Sequence, residues 1–129
     1  MLFIVPFQCP RALVVDDNAD AADTFARLLR LMGCEVMAVT DPFLAVDAAA
    51  QLKAQVVFLD LGMPGMDGLE LARRLRVKYG FESLRIVAVT AYGEDEHRTL
   101  SRQAGFDAHV VKPVDIHLVE SMLQTLFPG

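Results

Sequence analysis

The sequence is poor in basic charge, in cysteine and in uninterrupted apolar runs of membrane length. Twelve Lys and Arg stand against seventeen Asp and Glu, a formal net charge of -5. A nucleic-acid surface needs clustered Lys and Arg that acids do not dilute, so no direct nucleic-acid contact is expected. Two cysteines, Cys9 and Cys34, are too few and too far apart in sequence for a disulfide framework or a zinc site, and reduced thiols in a cytoplasmic protein are expected. Residues 1–10 (MLFIVPFQCP) are apolar but lack a positively charged start. They fall far short of the roughly 20 residues that a membrane helix needs, which excludes both a signal peptide and an anchor. Pro6 and Pro10 make a regular edge strand the least favoured reading of this extension; a remnant of a preceding domain or an artificial addition stay open. No repeat, low-complexity tract or Gly/Ser-rich linker occurs, and no effector domain is expected within the chain.

What is present suits one domain over residues 11–129, since 129 residues with 53% hydrophobic and 22% charged content fill a single core. Short β-branched runs alternate with helical periodicity, the pattern of β-α units around a parallel sheet. Strands are expected at Ala12 to Val15, Glu35 to Thr40, Val56 to Leu59, Ile86 to Val89 and Ala108 to Val111. Most are continuous apolar runs, as strands covered on both faces require. Phe25, Leu28, Leu29 and Met32 recur at helical spacing and define a first helix ending at Gly33. Asp41 before Pro42 opens a second helix reaching about Lys53, and a third runs from about Gly68 to Tyr79 with Leu71, Ala72 and Leu75 inward. A fourth, residues 94–104, has only Leu100 and Ala104 as apolar anchors; it is either a movable element or an ordinary solvent-facing helix. The fifth starts near Asp115 with Leu118, Val119, Met122, Leu123 and Leu126 along one side, leaving Ile116 and Phe127 for a partner or dimer contact.

In an open parallel sheet, ligands bind at the carboxyl ends of the strands. Asp16 and Asp17 follow the first strand, Asp60 ends the third, Thr90 ends the fourth and Lys112 ends the fifth. Any one of these is more often a cap or turn former, but all of them at one sheet edge is a poor coincidence. Three neighbouring carboxylates repel, so the cluster needs a raised pKa or a cation, and an all-oxygen site suits Mg²⁺, with Mn²⁺ the nearest substitute. A lysine fixed beside a dication calls for an anion between them. Phosphoryl fits: Lys112 and the cation balance its charge, the Thr90 hydroxyl donates to an oxygen, and Asp60 attacks phosphorus in line to form an acyl phosphate.

These residues, carried by LVVDDN at 13–18, VFLDLGMPGMDG at 57–68, VAVTA at 87–91 and VVKPVD at 110–115, resemble the receiver domains of bacterial response regulators over about Arg11 to Phe127. The resemblance implies a doubly wound, flavodoxin-like (βα)5 fold of strand order 2-1-3-4-5. It implies that Asp60 accepts phosphate from a phosphohistidine on a histidine kinase or histidine phosphotransfer protein. Asp17, Asp60 and the Gly62 carbonyl would ligate Mg²⁺, with Asp16 acting through water, while Thr90 and Lys112 hold the phosphoryl oxygens. The Lys112-Pro113 bond is similar to one that is usually cis in the family. The switch residues would be Thr90 and His109, the latter standing where Tyr or Phe is commoner, and they would act on the face of the fourth helix, fifth strand and fifth helix, a candidate surface for self-association. Histidine here is similar to receivers of hybrid sensor kinases, and a plain half-buried strand histidine is the bland alternative. Gly62 and Tyr92 occupy positions that tune acyl phosphate hydrolysis, and slow self-dephosphorylation is expected.

A haloacid dehalogenase-type phosphatase also uses Asp, Mg²⁺, Thr and Lys, but it needs an acid two residues past the nucleophile, where Gly62 stands. The glycines at 62, 65 and 68 match no nucleotide-binding loop and are read as turn formers. A pseudo-receiver, a protein-contact module without phosphorylation, is the rival of another class; it usually lacks one of the polar residues retained here. His97 and His117 are read as solvated, and Met63 and Met66 as packing.

Overall fold

The computed structural model describes residues 9–63, 68–91 and 105–128. The expected fourth helix with its His97, and Tyr92 ahead of it, lie outside the described residues, as do residues 1–8, Gly65 and Met66. Five strands, β1 (Ala12–Val15), β2 (Val36–Val39), β3 (Val56–Asp60), β4 (Arg85–Thr90) and β5 (Ala108–Val111), form one parallel sheet. Their order is β2-β1-β3-β4-β5, as the resemblance implied.

Alternate strand residues point to opposite faces, and the core divides accordingly. Leu13, Val15, Val57, Leu59, Ile86 and Ala88 pack beneath helices α2 (Ala45–Leu52) and α3 (Gly68–Ser83). Val14, Phe58, Val87, Val89 and Val110 pack beneath helix α1 (Ala19–Leu31) and the C-terminal helix (Ile116–Leu126). Chain direction across the sheet reverses between β1 and β3, so a crevice opens beyond their carboxyl ends.

The helices start and stop where their sequences dictate. The Asn18 side chain accepts the Ala21 N–H at 3.0 Å to begin α1, and Gly33, at φ 96°, closes it. Asp41 accepts the Phe43 N–H at 2.9 Å, but the first turn, Pro42–Leu44, is a 3-10 helix, with α2 following to a left-handed Lys53. Helix α3 departs from helical geometry at Gly80 (φ 75°, ψ 175°), next to its expected end.

Three expectations need correction. Leu118 is 65% exposed, while Ile116 and Phe127 pack against the core. Successive helical residues lie about 100° apart, so a face centred on the buried Val119 and Leu123 turns Leu118 away. Cys9 and Cys34 are not free thiols; they form a disulfide with Cα atoms 4.7 Å apart. Their separation in sequence is misleading because β1 and β2 are neighbours, and each cysteine lies a few residues ahead of its strand.

Among the described residues no helix is long and apolar enough to cross a membrane. A polar tie lies at the amino-terminal edge of the sheet. There the nearly buried Arg76 of α3 pairs with Asp107, just before β5, and donates to the Gly105, Gly80 and Leu84 carbonyls. Asp107 also accepts the Ile86 N–H at 2.8 Å, so one ion pair binds α3, β4 and the entry to β5 together.

Candidate functional site

The crevice at the β1–β3 reversal brings together Asp16, Asp17, Asp60 and Lys112 of the residues that the sequence singled out. Asp16 follows β1, held by its N–H to the Val39 carbonyl at 3.2 Å, and Asp60 and Thr90 are the last residues of β3 and β4. Sheet-like pairing continues past the strand ends, with the Leu61 N–H donating to the Val89 carbonyl at 3.0 Å and the Lys112 N–H to the Thr90 carbonyl at 2.8 Å. These bonds fix the bases of the Asp60 and Lys112 side chains to β4, the strand between them. The Lys112-Pro113 peptide is cis, as expected.

One carboxylate oxygen from each of Asp16, Asp17 and Asp60 lies within 4.8 Å of the others. Asp16, Asp60 and Thr90 are buried, whereas Asp17 faces solvent. Lys112 Nζ donates to Asp16 Oδ2 at 3.3 Å and to Asp60 Oδ2 at 3.4 Å. The other oxygen of each acid is bound by backbone: Asp16 Oδ1 accepts the Asn18 N–H at 3.0 Å and Asp60 Oδ1 the Gly62 N–H at 2.9 Å. Both buried carboxylates are therefore oriented from two sides.

Three acids and one ammonium leave an excess of negative charge in a half-enclosed space. Burial raises the Asp16 pKa, and the Asp60 charge raises it further, against the opposing pull of the Asn18 N–H and Lys112. For Lys112, burial pushes the ammonium down, but the charges of Asp60 and Asp16 outweigh it and the pKa is raised. An all-oxygen donor set, partly open to water and carrying surplus negative charge, fits a hard divalent cation. Asp16, Asp17 and Asp60 are the side chains that could hold one.

The nest forms one end of a recess of about 490 Å³ that runs along α1 between Asp20, Phe25 and Leu28 and the Pro113–Val114 turn. His109 lies on the opposite face of β5 from the core residue Val110, its ring centroid 6.3 Å from that of the buried Phe106. Met63 is buried in the core, as expected.

Sequence reasoning treated Gly68 as a turn former, and the structure gives it a tighter task. A Cβ there would lie 3.0 Å from Leu61 Cδ2 and 3.2 Å from the Asp60 carbonyl oxygen. Glycine lets the start of α3 close against the backbone that carries Asp60. Gly62 has no such constraint, since its Cβ would meet only Asp60 Oδ1 at 3.5 Å.

The profile of the response regulator receiver domain family matches residues 12–124. The sensor protein GacS of Pseudomonas syringae pv. syringae is 36% identical over 110 residues, which are 83% of this chain but only 12% of that protein. Sporulation initiation phosphotransferase F of Bacillus subtilis (strain 168) is 28% identical over 118 residues, 92% of this chain and 94% of that protein. The chain thus spans nearly the whole of one relative and a small part of another. Among solved structures, the chemotaxis protein CheY4 of Vibrio cholerae superposes with a TM-score of 0.84 at 24% identity, over 92% of this chain and 98% of that one. A CheY-like receiver domain from Methylobacillus flagellatus does so at 0.78 and 30% identity, over 92% and 99%. With the parallel sheet, its strand order and the acidic crevice already described, these matches establish that the chain belongs to the response regulator receiver domain family of two-component signalling.

Proposed function

We propose that this receiver domain is a phosphoacceptor in a two-component phosphorelay, with Asp60 as the residue phosphorylated. The observation that carries this reading is the pairing of Asp60 Oδ2 with Lys112 Nζ at 3.4 Å inside the acidic nest. An Asp60 oxygen attacks the phosphorus of a phosphohistidine on a histidine kinase or histidine phosphotransfer protein; the P–O bond forms as the P–N bond breaks, and the imidazole leaves. Lys112 balances the charge that moves onto the phosphoryl oxygens, and the Thr90 hydroxyl donates to one of them. Mg²⁺, or Mn²⁺ in its place, held by Asp17, Asp60 and the Gly62 carbonyl, with Asp16 through water, would supply the remaining positive charge. The domain assists this single transfer and its reversal by hydrolysis without acting as a turnover enzyme. A side-chain-free Gly62 offers nothing to place a hydrolytic water, in keeping with a long-lived phosphorylated state.

Thr90 and His109 serve in this reading as the switch pair, altering the face that includes β5 and the C-terminal helix. Val111 and Leu118, 42% and 65% exposed on those two elements, supply apolar surface for self-association. The acidic balance supports a protein partner rather than nucleic acid, and a cytoplasmic location fits a phosphohistidine donor. The domain is taken to run from residue 11 to 129, behind the extension 1–10. Retention of Asp16, Asp17, Asp60, Thr90 and Lys112 favours a phosphoacceptor over a pseudo-receiver.

Intact-mass measurement after incubation with acetyl phosphate and Mg²⁺ tests the proposal. One phosphoryl adduct is expected on the wild type and none on Asp60→Ala. A wild type that stays unmodified both with this donor and with a panel of phosphorylated histidine kinases would leave the pseudo-receiver reading.

A further inference from the structure

Cys9 and Cys34 lie at the sheet edge opposite the acidic nest, and the phosphoacceptor chemistry makes no use of them. Their meeting follows from the sheet. Strands β1 and β2 are parallel neighbours with Ala12 opposite Val36, so a residue three before Ala12 and one two before Val36 enter side by side. Each is anchored independently. Cys34 closes α1 by donating its N–H to the Leu29 carbonyl at 3.1 Å. Behind Cys9, the Arg11 N–H donates to Gln55 Oε1 at 3.0 Å, its Nε to the Lys53 carbonyl at 2.8 Å, and the Ala12 N–H to the Glu35 carbonyl at 2.9 Å. The Cα separation of 4.7 Å is within the range that a disulfide spans without backbone movement.

Access to the pair is unequal. Cys34 is buried, while Cys9 is half-buried and borders a recess of about 540 Å³ with Arg11, Glu35 and Gln55. A small reagent therefore meets Cys9 first, and the Arg11 guanidinium on the same recess favours an approaching anion or a thiolate.

We propose that Cys9 and Cys34 form a thiol–disulfide exchange site for low-molecular-weight disulfides of the glutathione type. In the oxidising direction the Cys9 thiolate attacks one sulfur of glutathione disulfide. A protein–glutathione S–S bond forms, the reagent's S–S bond breaks, and one glutathione thiolate leaves. Cys34, deprotonated, then displaces the second glutathione from Cys9. Two protein thiols have given up two protons and two electrons, and one glutathione disulfide has become two glutathione thiols. The oxidised form staples the segment ahead of β1 to the α1–β2 turn across a sequence separation of 25 residues; the reduced form releases it.

The test uses the whole chain, equilibrated in glutathione buffers of graded ratio, trapped with an alkylating agent and weighed intact. The expected result is a monomer that takes up no alkyl group and is about 2 Da lighter than the unalkylated reduced chain, melting about 5 to 10 °C higher. Cys9→Ser is expected to lose both effects, and Cys34→Ala to stop at the mixed disulfide with glutathione on Cys9. Stable glutathione adducts on the wild type, intermolecular dimers alone, two thiols that never pair, or a melting temperature unmoved by oxidation would each overturn the proposal.

Discussion

Replacing Asp16 with Asn should make the metal-free protein more stable, although Asp16 belongs to the most functional-looking cluster in the chain. Unit charges 4.8 Å apart repel by about 0.9 kcal/mol in water and about 3.5 kcal/mol at an effective dielectric of 20. Asp16 faces two such neighbours, Asp17 and Asp60. Its contact with Lys112 at 3.3 Å returns about 1.3 to 5 kcal/mol on the same scale. The balance is a net repulsion of about 0.5 to 2 kcal/mol, to which burial of the carboxylate adds. Asn keeps an oxygen for the Asn18 N–H, so the loop geometry survives the exchange.

Linkage gives the same sign. The Asp16 pKa is raised above its ordinary 3.8, so the stability tied to this group is fully present below 3.8 and is lost as pH rises through the higher folded value. Urea unfolding in a chelator at pH 7 should place Asp16→Asn about 1 to 2 kcal/mol above the wild type, a few degrees in melting temperature. Near pH 3 the two should converge. With Mg²⁺ at ten times its dissociation constant the wild type gains about 1.4 kcal/mol, and the variant should gain less. If Asp16→Asn melts below the wild type at neutral pH without metal, mutual repulsion is not what governs this nest.

Other perturbations read different parts of the structure. Lys112→Met should abolish acetyl phosphate labelling of Asp60; because the Lys112 pKa is raised, its stabilising contribution is fully present below 10.5 and is lost as pH rises beyond that, which an alkaline melting series of wild type against variant would show. Arg76→Leu removes the ion pair of a nearly buried Asp107, leaving it the Ile86 N–H at 2.8 Å and a longer 3.8 Å contact from Arg85, and should lower unfolding free energy by about 3 kcal/mol in denaturant titration, whereas joint replacement of Arg76 and Asp107 by apolar residues should recover much of it. Gly68→Ala pushes a methyl into Leu61 and the Asp60 carbonyl, so a loss of about 1 to 3 kcal/mol with slower phosphorylation is expected; unchanged labelling kinetics would show that the α3 start does not position Asp60. Asn18→Ala removes the α1 cap and should cost about 1 kcal/mol by thermal melt.

What was legible in the sequence was whatever a local pattern determines. Strands β1 and β5 fall at the residues expected, because each is an apolar run bounded by polar residues or turn formers. The convergence of Asp16, Asp17 and Asp60 was legible for a related reason: in a parallel sheet every strand ends at the same edge, so acids placed after strands meet there. Nothing in the spacing of Gly68 distinguishes a turn glycine from one lying against the Asp60 backbone, since that contact depends on how closely α3 approaches β3. Cys9 and Cys34 misled for the same cause, as their 25-residue separation says nothing until the β1–β2 register is known. Leu118 misled through too wide a helical stripe, one position too far around the cylinder. A residue's place is thus readable where topology alone brings it to one sheet edge, and unreadable where it is set by the distance between two elements. The reasoning extends to Arg76, whose partner Asp107 stands 31 residues away and becomes its neighbour only when β5 takes its place beside β4.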